Sequence, residues 1–269
     1  MPMTIDIEAA SELPEIRALD LSVFTPDDLM NLVLQRSEVL FDIPKSGRII
    51  KAWNARDEGP IREVVERMGD RIARRAAAVI RAEYLTLAPA ILAAKPKRIA
   101  DIGCGYALFD LFAAKDTKAD LILIDLEQNN RRHFGFAEKG AAYSNLDTAR
   151  RLLEANGIKS SRITLINPEK QSVTDLKPVD LAVSFLSCGF HYPVSTYAEF
   201  FRTSVAQGGT IMLDIRTVSE AGQIDDLAPL GVITDLPSPP KARRILLTKP
   251  DMPFIMPAPE RRAAKAVRP

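Results

Sequence analysis

Two glycines flanked by acidic residues form the stretch of the sequence whose chemistry is easiest to interpret. Residues 101–107 read DIGCGYA and follow a short apolar run. Gly103 and Gly105 let the backbone approach a ligand closely and adopt torsion angles that other residues resist. The helix predicted to follow would present free N–H groups at its first turn. Asp125 ends the next apolar run, where a carboxylate can accept hydrogen bonds from both hydroxyls of a ribose. The pattern therefore predicts a site for a nucleoside-containing ligand.

The class of ligand depends on two further residues of this loop. Dinucleotide sites usually have a third small residue after the glycines, and this sequence has Leu108 there. The carboxylate of Asp101 would repel a pyrophosphate, but it suits a ligand that carries an ammonium group. S-adenosylmethionine (SAM) has an α-amino group and a sulfonium and contains no phosphate. The loop favours SAM, and a nicotinamide-dependent dehydrogenase is the alternative.

The run RIADIGCGYA at residues 98–107 resembles the first motif of class I SAM-dependent methyltransferases, and the resemblance extends over about residues 80–250. It implies that SAM is the cofactor and S-adenosyl-L-homocysteine the product. In that family the glycine loop lies under the methionine part of SAM, the strand-end acid binds the ribose, and residues after the third strand often flank the adenine. Carried over to this sequence, the resemblance implies that the cofactor-binding residues are Asp101, Gly103, Gly105, Asp125, Leu126, Asn167 and Phe185.

The loop after the fourth apolar run contains the predicted catalytic residues. Residues 184–193 read SFLSCGFHYP, and in the family this loop faces the methyl group that is transferred. The resemblance therefore places His191 and Tyr192 between the cofactor and the acceptor. His191 could remove the proton of an acceptor hydroxyl, because its unperturbed pKa lies near neutrality. The alternative is that His191 packs on SAM or caps the next helix.

The sequence narrows the type of acceptor by what it lacks. The Asn/Asp-Pro-Pro-Tyr signature of methyltransferases that act on amino groups of nucleobases and glutamine is missing. Cytosine-C5 enzymes use a nucleophilic Cys preceded by Pro, but Cys188 follows Ser187, which favours a buried inert thiol. The carboxylate cluster of a metal-dependent O-methyltransferase cannot be assembled, so no metal site is predicted. These absences favour transfer to an oxygen of a small polar acceptor, sugar-like or anionic.

The connection after Asp125 is long for a doubly wound sheet, in which about 2–6 residues are usual. It extends to residue 144, and long ordered loops often act as lids or binding loops. Its basic cluster supplies the candidate substrate-binding residues, Arg131, Arg132 and His133. Guanidinium groups can hold a phosphate, a carboxylate or a polyhydroxyl acceptor, whereas an exposed insertion is the alternative. The motif GFAEKGAAY in this loop, together with GFHYPVSTY after the fourth run, resembles bacterial sugar O-methyltransferases.

The elements that must position these residues change character near residue 96. From residue 97 to about residue 250, seven short apolar runs rich in Ile, Leu and Val alternate with helical segments, as in strands buried on both faces of a parallel sheet. We therefore predict an α/β fold: a doubly wound, Rossmann-like, mostly parallel seven-stranded sheet, the fold of class I methyltransferases. Residues 1–96 are predicted to form a helical N-terminal cap on the substrate side, residues 97–250 the SAM-binding domain, and residues 251–269 a flexible tail.

Two helix starts are clear within the predicted cap. Thr25 can cap a helix that begins at Pro26, and Gly59-Pro60 opens what we expect to be one helical stretch through residue 94. A basic, solvated face or an anion site is expected from its arginines, Arg71, Arg74, Arg75 and Arg81. An RNA methyltransferase that uses this basic region is one alternative function. A SAM-binding protein without transfer activity is another.

The amino-acid composition excludes several classes of protein. The chain has 269 residues, of which 46% are hydrophobic and 26% charged, and its formal net charge is +1. These proportions are typical of a globular protein, and a near-neutral chain lacks the overall positive field of a bulk nucleic-acid binder. With two cysteines, two histidines, no long apolar run and no signal peptide, the sequence predicts a cytoplasmic protein without disulfides or a membrane span. The expected binding partner is a small-molecule acceptor, and a nucleic acid is less favoured. The sequence is compatible with a homodimer.

Overall fold

The N-terminal third of the protein is helical in the computed structural model, which describes residues 5–126 and 144–251. Its elements are α1 (Ile7–Ser11), α2 (Pro14–Arg17), α3 (Pro26–Gln35), a 3-10 turn (Ser37–Leu40), α4 (Gly47–Asn54), α5 (Gly59–Met68) and α6 (Arg71–Ala94). The predicted start of α3 is confirmed, because the hydroxyl of Thr25 accepts a hydrogen bond from the Asp28 N–H. The Asp28 carboxylate in turn accepts one from the Thr25 N–H, so two donors at the helix start are satisfied by one capping box.

The prediction of one helix through residue 94 is wrong, since the chain breaks between α5 and α6. Gly69 follows α5 with φ +55°, in the left-handed region that glycine tolerates best. The solvated basic face is also wrong for Arg75, whose side chain is only 1% exposed. Its guanidinium donates to both carboxylate oxygens of Asp42, at 2.7 and 2.8 Å, and to Glu8 at 2.5 Å.

Helix α6 is the central helix of this region. It is long and apolar enough, by length and composition alone, to cross a bilayer, and it is the single such helix among the described residues. It packs against α1, α3 and α7, and the side chains of Ile72, Ala76, Tyr84 and Ile91 are buried in the core. A helix buried in a protein core has the same composition, and the burial of the Arg75 side chain fits that position.

The C-terminal part contains a seven-stranded sheet in the order β3-β2-β1-β4-β5-β7-β6. Its strands are β1 (Arg98–Ile102), β2 (Asp120–Ile124), β3 (Ile163–Ile166), β4 (Val179–Ser184), β5 (Val205–Arg216), β6 (Val232–Leu236) and β7 (Ala242–Thr248). Neighbouring strands are parallel, except that β7 lies antiparallel to both β5 and β6. The predicted doubly wound, mostly parallel sheet is therefore confirmed.

Residues of one strand alternate between two hydrophobic cores, one on each face of the sheet. In β2, Leu121 and Leu123 join the core that includes residues of α6, α7 and α8, whereas Ile122 and Ile124 join the core on the side of α9 and α10. The flanking helices are α7 (Leu108–Thr117), α8 (Leu146–Ala155), α9 (Ala198–Thr203) and α10 (Glu220–Leu227). Burial on both faces explains why inner strands such as β1 and β2 are apolar runs.

The order of strands reverses between β1 and β4, which neighbour each other although they are not consecutive in the chain. Beyond the carboxyl ends of such strands the loops diverge to opposite sides of the sheet, and a crevice opens there. The glycine loop follows β1, and the loop that contains His191 follows β4. The topology thus brings the two predicted functional loops to one place.

Candidate functional site

A cavity of about 1180 Å³ lies at this end of the sheet, between the loops and the N-terminal helices. Its wall on the helical side includes Gln35 and Arg36 at the end of α3 and Val79, Ile80 and Glu83 of α6. Single-ligand sites usually have volumes of about 300–1,000 Å³. The cavity is therefore large enough for a cofactor together with a second molecule.

The first glycine of the loop permits a close contact with the loop after β4. Gly103 has φ +76°, and a Cβ placed on it would lie 1.9 Å from the hydroxyl oxygen of Ser187. Its N–H donates to the carbonyl of Ile124 at 2.7 Å. A side chain at this position would collide with Ser187 and strain the backbone, so the sequence requires glycine here for packing as well as for access to a ligand.

The acid at the end of β2 holds the second glycine. The N–H of Gly105 donates to Oδ2 of Asp125 at 3.0 Å, and Gly105 has φ +57°. A Cβ on Gly105 would lie 3.2 Å from the amide oxygen of Gln35, so the end of α3 covers the loop. Asp125 lines the cavity and therefore has a structural contact in addition to the ribose-binding role that the sequence predicts.

A tyrosine within the glycine loop joins it to the N-terminal helices. The hydroxyl of Tyr106 donates to Oδ1 of Asp28 at 2.7 Å and accepts from the Asn31 side chain at 3.0 Å, with all three side chains buried. The ring of Phe24 packs edge-on against Tyr106. The sequence contains no signal for this connection, because Asp28 and Tyr106 lie 78 residues apart in the chain.

Two buried carboxyl groups lie beneath the loop. Asp110 in α7 is fully buried, and burial raises its pKa to about 7. Burial, together with the negative charges of Asp110 and Asp125, raises the pKa of Asp101 well above its ordinary value. Asp101 lines the cavity, so a positively charged group bound there would favour the ionised form of this pair. The cofactor end of the cavity is thus suited to a cation.

The predicted catalytic residues lie in a firmly held loop. The N–H of His191 donates to the carbonyl of Ser187 at 2.8 Å, and its ring lies edge-on to Phe190 at 5.1 Å. Arg216 holds the same loop, since its Nε donates to the Phe190 carbonyl at 2.7 Å. Both His191 and Tyr192 line the cavity, and their catalytic role stays a prediction.

Tyr192 has a more restricted environment than His191. It is 8% exposed, and its hydroxyl lies 3.1 Å from that of Ser187, above Gly103. Burial raises the pKa of Tyr192 well above its ordinary value. The phenol therefore stays protonated at neutral pH, and its place in the structure is to fix Ser187 against the glycine loop.

The remaining predicted cofactor residues have different positions. Leu126 and Phe185 line the cavity, and so do Pro168 and Glu169. Asn167 is buried beside it: its side-chain amide donates to the Leu126 carbonyl at 3.2 Å and its oxygen accepts from the Glu169 N–H at 3.0 Å. Asn167 therefore shapes the segment that reaches the cavity. The predicted substrate-binding residues, Arg131, Arg132 and His133, lie outside the described residues.

Two arginine–carboxylate pairs, which the sequence did not indicate, form part of the cavity wall. Arg36 donates to both carboxylate oxygens of Glu83, at 2.8 and 2.7 Å. Arg244 donates to both oxygens of Asp214, at 2.6 and 2.8 Å, and its guanidinium lies 4.8 Å from the centre of the Phe185 ring. Arg36, Glu83 and Arg244 all line the cavity. No periodicity or motif signals pairs whose members lie so far apart in the chain.

No protein-family model matches the chain, and no curated protein matches its sequence. Similar solved structures include a proposed O-methyltransferase from Nostoc punctiforme, 17% identical with a TM-score of 0.39 over 64% of this chain and 59% of that one. A methyltransferase from Geobacter sulfurreducens is 14% identical with a TM-score of 0.44, over 64% and 77% of the two chains. A precorrin-6y C5,15-methyltransferase from Geobacter metallireducens is 14% identical with a TM-score of 0.39, over 57% and 79%.

The chain thus spans less than two thirds of the length of the Nostoc punctiforme protein. At identities and TM-scores this low, the likeness does not establish an activity. The function has to be inferred from the site itself.

Proposed function

We propose that this protein transfers a methyl group from SAM to an oxygen of a small-molecule acceptor. The observation that carries the proposal is the glycine loop bordered by Asp101 and Asp125 at one end of a large cavity. The helical region supplies the wall on the other side of the cavity. The loop resembles the first methyltransferase motif, and the acidic residues beside it suit a positively charged cofactor such as SAM.

The two carboxylates at the cofactor end of the cavity, Asp101 and Asp125, fit SAM better than a dinucleotide. Asp101 would face the α-amino group, and Asp125 would accept from the ribose hydroxyls while it still holds the Gly105 N–H. A pyrophosphate on the glycine loop would instead lie beside the carboxylate of Asp101. When bound, SAM supplies a methyl group already activated by the positively charged sulfur.

The residues of the chain would mainly align the acceptor and keep water away. Tight placement of two reactants can supply much of the rate enhancement of such a displacement, and a closed cavity strengthens the electrostatic contacts within it. His191 lines the cavity next to the loop end of β4, and we assign it the role of accepting the proton of the acceptor hydroxyl.

The RNA methyltransferase alternative has less support from the contacts of the basic helices. The four arginines predicted for the basic face each have a carboxylate partner: Arg71 and Arg75 with Glu8, Arg74 with Asp70, and Arg81 with Glu15. Phosphate contacts would have to replace these ion pairs. A small-molecule acceptor can enter the cavity without breaking any of these ion pairs.

The test is transfer of label from methyl-labelled SAM to a fractionated cell extract, followed by identification of the labelled compound. We expect label in a compound of low molecular mass, with the methyl group on oxygen. Label in RNA would support the alternative, and SAM binding with no labelled product would support a binding protein without transfer activity.

A further inference from the structure

The two ion pairs in the cavity wall, Arg36–Glu83 and Arg244–Asp214, are close enough to influence each other. Burial acts to lower the pKa of Arg36, but Glu83 outweighs it and Asp214 adds to the effect, so the pKa of Arg36 is raised. Burial acts to raise the pKa of Glu83, yet Arg36 and, more weakly, Arg244 bring it below its ordinary value. Each arginine is matched by one carboxylate, so the two ion pairs form a charge-balanced set in the cavity wall.

This set joins the helical region to the sheet at the carboxyl end of β4. Asp214 of β5 and Arg244 of β7 are directly opposite in the antiparallel ladder. Asp214 also accepts from the Leu186 N–H at 3.2 Å, which fixes the residue after Phe185. The ring of Phe185 contacts the Arg244 guanidinium and also Phe109, with 4.7 Å between the two ring centres. These contacts hold Phe185 in the loop assigned to methyl transfer.

A charged acceptor would disturb this charge-balanced set. A carboxylate or phosphate would compete with Glu83 for Arg36, and Glu83 would be left without its partner in a largely buried position. An ammonium group would face the two guanidinium groups. A neutral hydroxyl can donate to a lone pair of Glu83 that Arg36 leaves unused, because a carboxylate has about four acceptor positions.

The rest of the cavity also disfavours an anion. Its described lining residues carry five carboxyl groups, those of Glu38, Glu83, Asp101, Asp125 and Glu169, against the two guanidinium groups of Arg36 and Arg244. The apolar part of the lining offers rings and flat faces, from Phe185, Phe190, Tyr197, Pro237 and Pro239. A compact ring with an apolar face and uncharged hydroxyls matches both features.

We propose that the acceptor is an uncharged, hydroxylated ring compound, whose hydroxyl is held by the Arg36–Glu83 pair and whose ring packs on Phe185. This inference rests on the proposed methyl transfer and narrows its substrate. It differs from the anionic acceptor that the basic loop at residues 131–133 suggests. Either a phenol or a neutral sugar has the required chemistry.

The test compares neutral, acidic and basic members of two ring series under methyl-transfer conditions. The phenol series is catechol, 3,4-dihydroxybenzoate and dopamine; the sugar series is methyl glucoside, glucuronate and glucosamine. We expect the neutral member of at least one series to be methylated with a kcat/KM at least tenfold above its charged relatives. A phenol and a sugar are distinguished by which series reacts.

A preference for an acidic or basic member would overturn the inference. Failure to methylate either neutral compound, by protein that binds SAM in a parallel titration, would overturn it as well. Failure to bind SAM would instead contradict the proposed function, so the two failures are distinguishable.

The variant Glu83→Gln tests the assigned residue. We expect the KM of the neutral acceptor to rise about tenfold while the affinity for SAM stays within twofold, and the preference over the acidic member to shrink because Arg36 becomes available to a carboxylate. Glu15→Gln is the matched control, since it removes the carboxylate partner of a different arginine, Arg81, and neither residue lines the cavity. If Glu83→Gln fails to fold, the double variant Arg36→Gln/Glu83→Gln removes both charges together, and we expect the same rise in KM. An unchanged preference in the folded variant would contradict the assignment.

Discussion

The N–H of Gly105 donates a hydrogen bond to Oδ2 of Asp125 at 3.0 Å, which ties the loop after β1 to the end of β2. The glycine loop is therefore shaped partly by the acid that would bind the cofactor. Changes at the loop should affect ligand binding and stability together unless the variants are chosen to separate the two.

Replacing Gly103 by alanine should disrupt the site through a collision with Ser187. We expect a loss of about 1–2 kcal/mol from the left-handed backbone and a further ~1–3 kcal/mol from overpacking, because the new Cβ would lie 1.9 Å from the Ser187 oxygen. Gly157→Ala is the matched control, since Gly157 also has positive φ but has open space around its Cβ position. Denaturant unfolding and SAM titration measure the two effects.

The collision can be tested by rescue. Ser187→Gly removes both side-chain atoms that the new methyl group would meet. We expect the double variant Gly103→Ala/Ser187→Gly to recover most of the overpacking loss but none of the backbone loss. Equal stability of Gly103→Ala and Gly157→Ala would show that the contact with Ser187 does not constrain the loop.

Removing the hydroxyl of Tyr106 should uncouple the N-terminal helices from the loop. Tyr106→Phe leaves Asp28 and Asn31 without this partner, and we expect a loss of about 1–3 kcal/mol in the free energy of unfolding, with weaker SAM binding. Tyr84→Phe removes a comparable bond, donated to Asp116 at 2.6 Å. Tyr84→Phe should lower the stability but leave the affinity for SAM unchanged. An equal effect of both variants on SAM affinity would argue against coupling through Tyr106.

The sequence predicted the sheet better than the helical region, for a physical reason. Strands buried on both faces must be continuous apolar runs, so the inner strands β1, β2 and β4 are clear in the sequence. The edge strands β3 and β6 are more exposed and leave weaker runs. Helical periodicity shows which face is apolar but not which polar residue finds a distant partner. Arg75 is therefore predicted as exposed, although Glu8 and Asp42, from other segments, compensate its burial.

In the candidate site, too, the sequence shows local patterns but not contacts between residues that are distant in the chain. Gly103, Asp101 and Asp125 could be identified because close backbone approach and a strand-end carboxylate are local features of the sequence. Glu83 and Arg244 could not, because they meet their partners and the cavity only after the helices dock on the sheet.

Burial of Asp110 should make stability depend on pH. Its pKa rises from 3.8 to about 7 on folding, so the folded protein binds the proton more tightly than the unfolded chain. The free energy of unfolding should then fall as pH rises between these values and level off above them. Asp110→Asn should flatten this dependence and stabilise the protein more at high pH than at low pH. Denaturant unfolding at several pH values measures it, with the exposed Asp120→Asn as control; an unchanged slope would contradict the assignment.

Replacing His191 should affect turnover rather than cofactor binding. We expect His191→Ala to lower kcat by about 10²–10⁴-fold, the usual contribution of a general base, with SAM affinity nearly unchanged. The pH profile of kcat should lose its ascending limb in the same variant. Wild-type turnover in a folded His191→Ala protein would exclude the role of base.

Calorimetric titration of the wild-type protein with SAM, and separately with NAD, tests the central claim most directly. We expect one SAM per chain and no binding of NAD. Asp125→Ala should weaken SAM binding by about 10–100-fold, as expected for loss of hydrogen bonds to a charged group, whereas Asp120→Asn at the start of the same strand should leave it unchanged. Absence of SAM binding, or binding of NAD in its place, would contradict the account.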